Sequence, residues 1–210
     1  MCGIIGAYAP DRLAGGSLLA FLALAEESKI RGLHAFGVTR HSKYGMMTQK
    51  WSSLDVTEIH QFVFNFDRAI FHSRYSTSGD YKDMSNNQPV GSESISLAMN
   101  GVITMAPPEE WGELFGVQCF TQNDAEIFVR LMERGSDPEY FVANMKGSFA
   151  GVFLANGHLW ALRNNRRPLY IVDHEDSIFV VSTRDIAERA LGIGERCMIV
   201  PPNTLTRVGQ

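Results

Sequence analysis

An apolar run begins almost at the first position of the chain. Residues 4–9 are Ile, Ile, Gly, Ala, Tyr and Ala, bounded by Gly3 and Pro10. That reads as a short buried strand. A dispensable terminus is usually polar and frayed. Here the terminus is expected to enter a sheet at once, so whatever occupies position 2 is held against the core.

The rest of the chain fits a layered domain. Residues 17–30 read as a helix with Leu18, Phe21, Leu22 and Ala25 on one face and Gly32 just beyond. Residues 36–40 and 46–50 read as paired strands and 56–64 as a helix. Residues 68–74 form a strand that runs into the polar segment 75–88. A strand over 95–99 is expected to stop at the turn dipeptide Asn100-Gly101. Helices are expected over 107–115, 124–134 and 138–145. A run of antiparallel strands follows over 148–156, 158–163, 169–173 and 178–182, with Asn156-Gly157 as a hairpin turn. A short helix over 185–191 and a strand over 204–208 close the pattern. Strands at both ends with helices grouped between predict two sheets with helices on their outer faces, an α+β domain spanning residues 1–210.

Composition narrows the function. Nineteen Lys and Arg against 23 Asp and Glu give a net charge of −4, which argues against a nucleic-acid or anionic-membrane surface. Cys2, Cys119 and Cys197 form no CxxC pair and no zinc spacing, so neither a disulfide scaffold nor a metal site is expected. The longest apolar stretch, residues 18–25, is too short to span a bilayer and meets Glu26 and Glu27. With no signal-peptide pattern at the start, the chain is expected to be soluble and cytoplasmic.

Several stretches carry chemistry. Removal of Met1 would leave Cys2 with a thiol and a free α-amine on one residue, a nucleophile and its base together. The plainer reading is a cysteine at position 2 by accident. Arg74, at the end of a strand and followed by Ser76, Thr77 and Gly79, can grip a carboxylate in two-pronged fashion; alternatively it leaves the sheet for solvent. Asn100-Gly101 is either a hairpin turn or a pair of N–H donors converging on one oxygen. Thr121–Glu126 reads as overlapping capping boxes, Thr121 with Asp124 and Asn123 with Glu126, while the Asp124 carboxylate could also hold an ammonium group. His34 reads as a loop histidine. Arg163, Arg166 and Arg167 read as a solvated turn before a strand.

The order of these stretches is specific. Cys-Gly-Ile-Ile-Gly at 2–6, Arg-Gly-x-x-x-x-Gly at 31–37, His-x-Arg-Tyr-Ser-Thr-x-Gly at 72–79, Asn-x-Gln-Pro at 86–89, Asn-Gly at 100–101 and Asp-x-Glu at 124–126 together resemble the class II glutamine amidotransferases. Residues 146–150, 163–169 and 182–184 look like later strands of that family. The resemblance implies a four-layer αββα sandwich of two mainly antiparallel sheets, of the N-terminal-nucleophile hydrolase type. It implies Cys2 as the nucleophile and Asn100 with Gly101 as the oxyanion pair. Arg74, with Thr77 beside it, would grip the glutamine carboxylate, Asp124 the ammonium, and Arg31 would position the terminal residue.

The implied reaction is hydrolysis of L-glutamine to glutamate and ammonia through a Cys2 thioester, without metal or organic cofactor. A separate synthase is the expected ammonia acceptor, and a homo-oligomer is compatible with the pattern. His34 stands where the family usually has Asp, Met99 where it often has His, and the 163–169 loop is shorter with extra arginines. The chain stops where a glutaminase domain would end. The rival readings are a catalytically idle glutamine-binding, sensor or scaffold domain of the same fold, and an amidase acting on another amide.

Overall fold

A computed structural model describes residues 1–76 and 79–209. Thr77, expected beside Arg74, lies outside the described residues. The first half of the chain runs β1 (Gly3–Tyr8), α1 (Gly15–Ser28), β2 (Ala35–Ser42), β3 (Gly45–Trp51), α2 (Val56–Val63), β4 (Arg68–Arg74), β5 (Val90–Gly91) and β6 (Ile95–Val102). Three helices follow, α3 (Trp111–Phe115), α4 (Ala125–Glu133) and α5 (Pro138–Asn144). The second half adds β7 (Ser148–Ala155), β8 (His158–Arg163), β9 (Tyr170–His174), β10 (Ser177–Val181), α6 (Arg184–Leu191), β11 (Met198–Ile199) and β12 (Thr204–Val208).

The strands form two antiparallel sheets. One has the order β11-β9-β10-β1-β4-β2-β3 and the other β12-β8-β7-β6-β5. Alternation along each strand explains the layering, because neighbouring side chains point to opposite faces. Ile4, Ile70 and Val180 of the first sheet meet Ala98, Ala150, Val152 and Leu159 of the second in one buried cluster between the sheets. Their neighbours Ile5, Phe71, Phe179 and Val181 face the other way, into a cluster with Leu18, Phe21 and Leu24 of α1, Ile59 of α2 and Ile186 of α6. Leu97, Met99, Phe149 and Phe153 pack outward on Phe128 of α4, Phe141 of α5 and Trp111 of α3. Strands with two buried faces read as continuous apolar runs, and the result is helices, sheet, sheet, helices, as expected.

Three expectations need correction. The strand over 95–99 does not stop at Asn100-Gly101: β6 continues to Val102, with Asn100 opposite Ala150 and Gly101 opposite Phe149. Gly101 sits at φ +144°, and an added Cβ would collide with the Ser148 carbonyl, so glycine lets the strand pass where another residue could not. The strands from 148 to 182 are not one run. β7 and β8 belong to the five-stranded sheet and β9 and β10 to the seven-stranded one. The residue 107–115 helix is a 3₁₀ turn, Pro108–Glu110, followed by the short α3. The Asn156-Gly157 hairpin forms as expected, both residues at positive φ, +52° and +72°.

Two buried polar contacts pin the sheets together: Thr39 Oγ1 to Ser96 Oγ at 2.7 Å, and His72 Nε2 to the Met99 carbonyl at 3.2 Å. His72 is fully buried. Burial, then the nearby Arg74 charge, lowers its pKa from 6.5 to about 3. Between those values the unfolded chain binds a proton that the folded chain refuses, so stability should fall as pH drops below ~6.5, by up to about 1.4 kcal/mol per pH unit from this one group. Urea midpoints at pH 7 and pH 5 should show this loss, and a His72→Gln variant should show a shallower one. Equal slopes would remove His72 from the account. Among the described residues no helix is long and apolar enough to cross a membrane.

Candidate active site

The antiparallel pairing of β1 with β4 sets Gly3 against Ser73, which brings Cys2 to the same end of the sheet as Arg74. β6 of the other sheet ends close by, and three distant segments converge on Cys2. Its backbone N–H donates to Asn100 Oδ1 at 3.1 Å. Its carbonyl accepts from Arg31 Nε at 2.8 Å. Its Sγ lies 3.7 Å from the Tyr75 carbonyl. One bond further in, the Gly3 N–H donates to Ser73 Oγ and the Ile4 N–H to Ser182 Oγ. The terminus is therefore clamped residue by residue, as the early apolar run predicted. Burial pushes the Cys2 thiol above its usual 9.0, and the N-terminal ammonium, Arg74 and Arg31 pull it back. Burial wins, so the thiol stays protonated at neutral pH and needs a base at hand to become a nucleophile.

Asn100 is buried. Its Oδ1 faces two donors, the Cys2 N–H and, at 3.5 Å, Arg167 Nη1. Two donors on one side fix which end of the amide points where, and leave the Nδ2 donors turned away from them. Arg167 also donates from Nε to the Ser148 carbonyl at 3.1 Å, and it lies near enough to Arg31 for their charges to repel. The expected solvated turn is there at Asn165 and Arg166, which are exposed, but Arg167 is half-buried and leaves it to reach these groups. Arg163 is buried as well, donating to the carbonyls of Val200, Asn164 and Arg167. These arginines satisfy carbonyls where the chain crosses from one sheet to the other.

Arg74 does not leave the sheet for solvent: it is 3% exposed. Its guanidinium donates to the Asn86 carbonyl at 2.8 Å, to Asn87 Oδ1 and to the Gly79 carbonyl at 3.3 Å. Asn86 ties this corner to the next, because its Oδ1 accepts from the Gln122 N–H at 2.7 Å and its carbonyl from Asn123 Nδ2 at 2.8 Å. Gln88 spans the same gap, accepting from the Met99 N–H and donating to Asn123. The buried 86–88 amides join the Arg74 corner to the start of α4.

Asp124 is buried, and the capping boxes expected around it do not form. Its Oδ2 instead accepts from the N–H groups of Ile103 and Thr104, just past β6. Asn123 Oδ1 caps the helix through the Ala125 N–H. Glu126 turns back to the N–H groups of Phe120 and Thr121 and to Arg130. Burial pushes the Asp124 carboxyl up, and the N–H groups of Ile103 and Thr104 pull it down. It lines one wall of a cleft of about 640 Å³ with Gly79, Val102, Thr104, Trp111 and Gln122.

Arg31 and Asn100 each contact Cys2 directly. Asp124 is tied to the chain just beyond Asn100-Gly101, and Arg74 to Gly79 at the cleft edge. Sequence reasoning missed Arg167 and Lys50. Lys50 Nζ donates to the Met84 carbonyl at 3.2 Å, and burial, then the Arg74 charge, lowers its pKa from 10.5 to about 8. A lysine on an edge strand carries no signal of burial, whereas three arginines within five residues of an acidic chain was a visible anomaly. Among the described residues no group of three or more His, Cys, Asp or Glu could hold a metal ion.

Comparison with known proteins places this geometry in context. A family model described as glutamine amidotransferase domain matches residues 72–188. The chain is 26% identical over 214 residues to an amidophosphoribosyltransferase of Methanothermobacter thermautotrophicus, covering 91% of this chain and 44% of that protein. It is similar to the structure of the B. subtilis glutamine phosphoribosylpyrophosphate amidotransferase complexed with ADP and GMP, with a TM-score of 0.75 and 20% identity, over 98% of this chain and 48% of that one. A glutamine aminotransferase class-II domain protein from Silicibacter pomeroyi aligns over 98% of both chains, with a TM-score of 0.56 and 12% identity. The structural likenesses speak for the fold. The chain spans about half the length of the amidophosphoribosyltransferases it matches.

Proposed function

This chain belongs to the glutamine amidotransferase domain family, and from that membership we propose that residues 1–210 act as one glutaminase domain with Cys2 as nucleophile. The observation that carries the reading is the clamp on Cys2: Arg31 holds its carbonyl and Asn100 its nitrogen. Once Met1 is removed, that nitrogen becomes an α-amine beside the thiol. It takes the thiol proton as Sγ attacks the side-chain amide carbon of L-glutamine. The tetrahedral oxyanion forms against Asn100 Nδ2 and the Gly101 N–H. The amine then returns the proton to the leaving nitrogen, ammonia departs, and a glutamyl thioester remains. Water, deprotonated by the same amine, releases glutamate. The ammonia serves a synthase active site, in keeping with the amidotransferase names of the relatives.

Arg74 and Asp124 fix the two ends of glutamine in this reading. Asp124 offers the sharper test, because it holds two backbone N–H groups as well as the substrate ammonium. Asp124→Asn keeps an oxygen for Ile103 and Thr104 and removes the charge. It is expected to raise KM for glutamine and lower kcat/KM by roughly 30- to 1,000-fold, the loss of one charge-assisted contact, with little change in melting temperature. Glutamate release under steady-state conditions measures it. Parent-like kinetics would leave Asp124 a purely structural acceptor. No hydrolysis by the parent chain with Met1 removed would favour the idle glutamine-binding domain instead.

A further inference from the structure

His34 lies in the loop between α1 and β2 and reaches the substrate side of the site twice. Its backbone N–H donates to the Arg74 carbonyl at 2.9 Å. Its ring Nδ1 accepts from the Ser76 backbone N–H, also at 2.9 Å. One residue thereby brackets Tyr75, whose carbonyl meets the Cys2 thiol. An N–H donor facing Nδ1 sets the tautomer: the ring proton is on Nε2, and Nδ1 carries the lone pair. The ring also stacks between two tyrosines, 5.2 Å from Tyr75 with planes 26° apart and 4.7 Å from Tyr81 with planes 20° apart.

Those tyrosines are 51% and 37% exposed, and the imidazole is a ring that both stack on. Between them in sequence stands Gly79, whose carbonyl accepts from Arg74 Nη2 and from Ser76 Oγ. Gly32 permits the approach, since a Cβ there would overlap the Arg74–Tyr75 peptide.

We propose that His34 is a positioning residue for glutamine turnover. Its imidazole clips Tyr75 and Ser76 to Tyr81 along one side of the Cys2 site, and so holds Arg74 and the Tyr75 carbonyl in place around the thiol. The residue does this with two properties at once, an acceptor nitrogen and a flat ring. This role rests on the glutaminase reading.

The two properties separate by substitution. His34→Phe keeps a stacking ring and loses the acceptor. His34→Asn puts an amide oxygen where Nδ1 stood and loses the ring. His34→Ala loses both. Hydrogen–deuterium exchange at the Ser76 amide and steady-state glutamine kinetics are measured on the full chain with Met1 removed. The expected result is faster Ser76 exchange in His34→Phe and His34→Ala, with KM raised at least about fivefold and kcat changed less. His34→Asn should restore Ser76 protection and part of the KM, the remainder being what the ring supplies. Parent-like exchange and KM in His34→Phe would overturn the clip, as would a His34→Asn variant no better than His34→Ala. A parent chain that hydrolyses no glutamine would overturn the glutaminase reading and the positioning role with it. Exchange is then still readable, so the two failures are told apart.

Discussion

Cys2→Ala is expected to abolish glutamine hydrolysis, by more than about 10³-fold in kcat, while the protein stays folded. Among the described residues, the side chain's polar contact is the long one to the Tyr75 carbonyl. The clamp on this residue uses its backbone nitrogen and oxygen, which alanine keeps. Melting temperature should therefore change little. The comparison separates chemistry from folding, because the neighbouring Gly3 and Ile4 contacts to Ser73 and Ser182 are also backbone contacts on this strand. Release of glutamate and ammonia, followed beside the thermal melt, gives the answer. Residual turnover within tenfold of the parent would mean that another group attacks the amide.

Asn100→Asp should be nearly as damaging, by about 10²–10³-fold in kcat, the range for loss of one oxyanion donor. The substitution keeps the oxygen that accepts from the Cys2 nitrogen and lies near Arg167. It removes the Nδ2 donors and places a negative charge where the oxyanion must grow. Asn100 is buried in the sheet pairing of β6 with β7, and Arg167 stands ready to partner the new carboxylate, so the fold should tolerate the change. Glutamine binding, measured on the slow variant, should remain close to that of the parent. A large loss of binding with unchanged kcat would instead make Asn100 a ground-state contact.

Much of this arrangement was legible because it is written in short-range patterns. Residues 4–9 announced a buried first strand, and Asn156-Gly157 announced its hairpin. Strands clustered at both ends of the chain implied two sheets covered by helices. What failed was whatever depends on partners distant in sequence. Asn100-Gly101 has the composition of a turn, yet pairing with Ala150 and Phe149 keeps it in a strand. Asp124 has the position of a cap, yet two N–H groups some 20 residues upstream claim its carboxylate. The arginines from the end of β8 onward read as a solvated turn, yet Arg163 and Arg167 turn inward to carbonyls of Val200 and Ser148, both distant in sequence. The candidate residues were nameable one by one from the family-like order of motifs. The 86–88 amide network that joins the Arg74 corner to α4 shows only in the assembled sheets.

The most direct test of the central claim is intact-protein and peptide mass spectrometry after treatment with a glutamine-mimicking electrophile such as a diazo ketone analogue. The account predicts an active protein that lacks Met1, takes up one equivalent of reagent on Cys2, loses hydrolysis in step with labelling, and is protected by glutamine. Burial raises the thiol of Cys119 to about 11 and pushes that of Cys197 up as well, and neither has the α-amine base that loss of Met1 gives Cys2, so both should stay unlabelled. Labelling on Cys119 or Cys197 in place of Cys2, or full hydrolysis by a chain that keeps Met1, would contradict it.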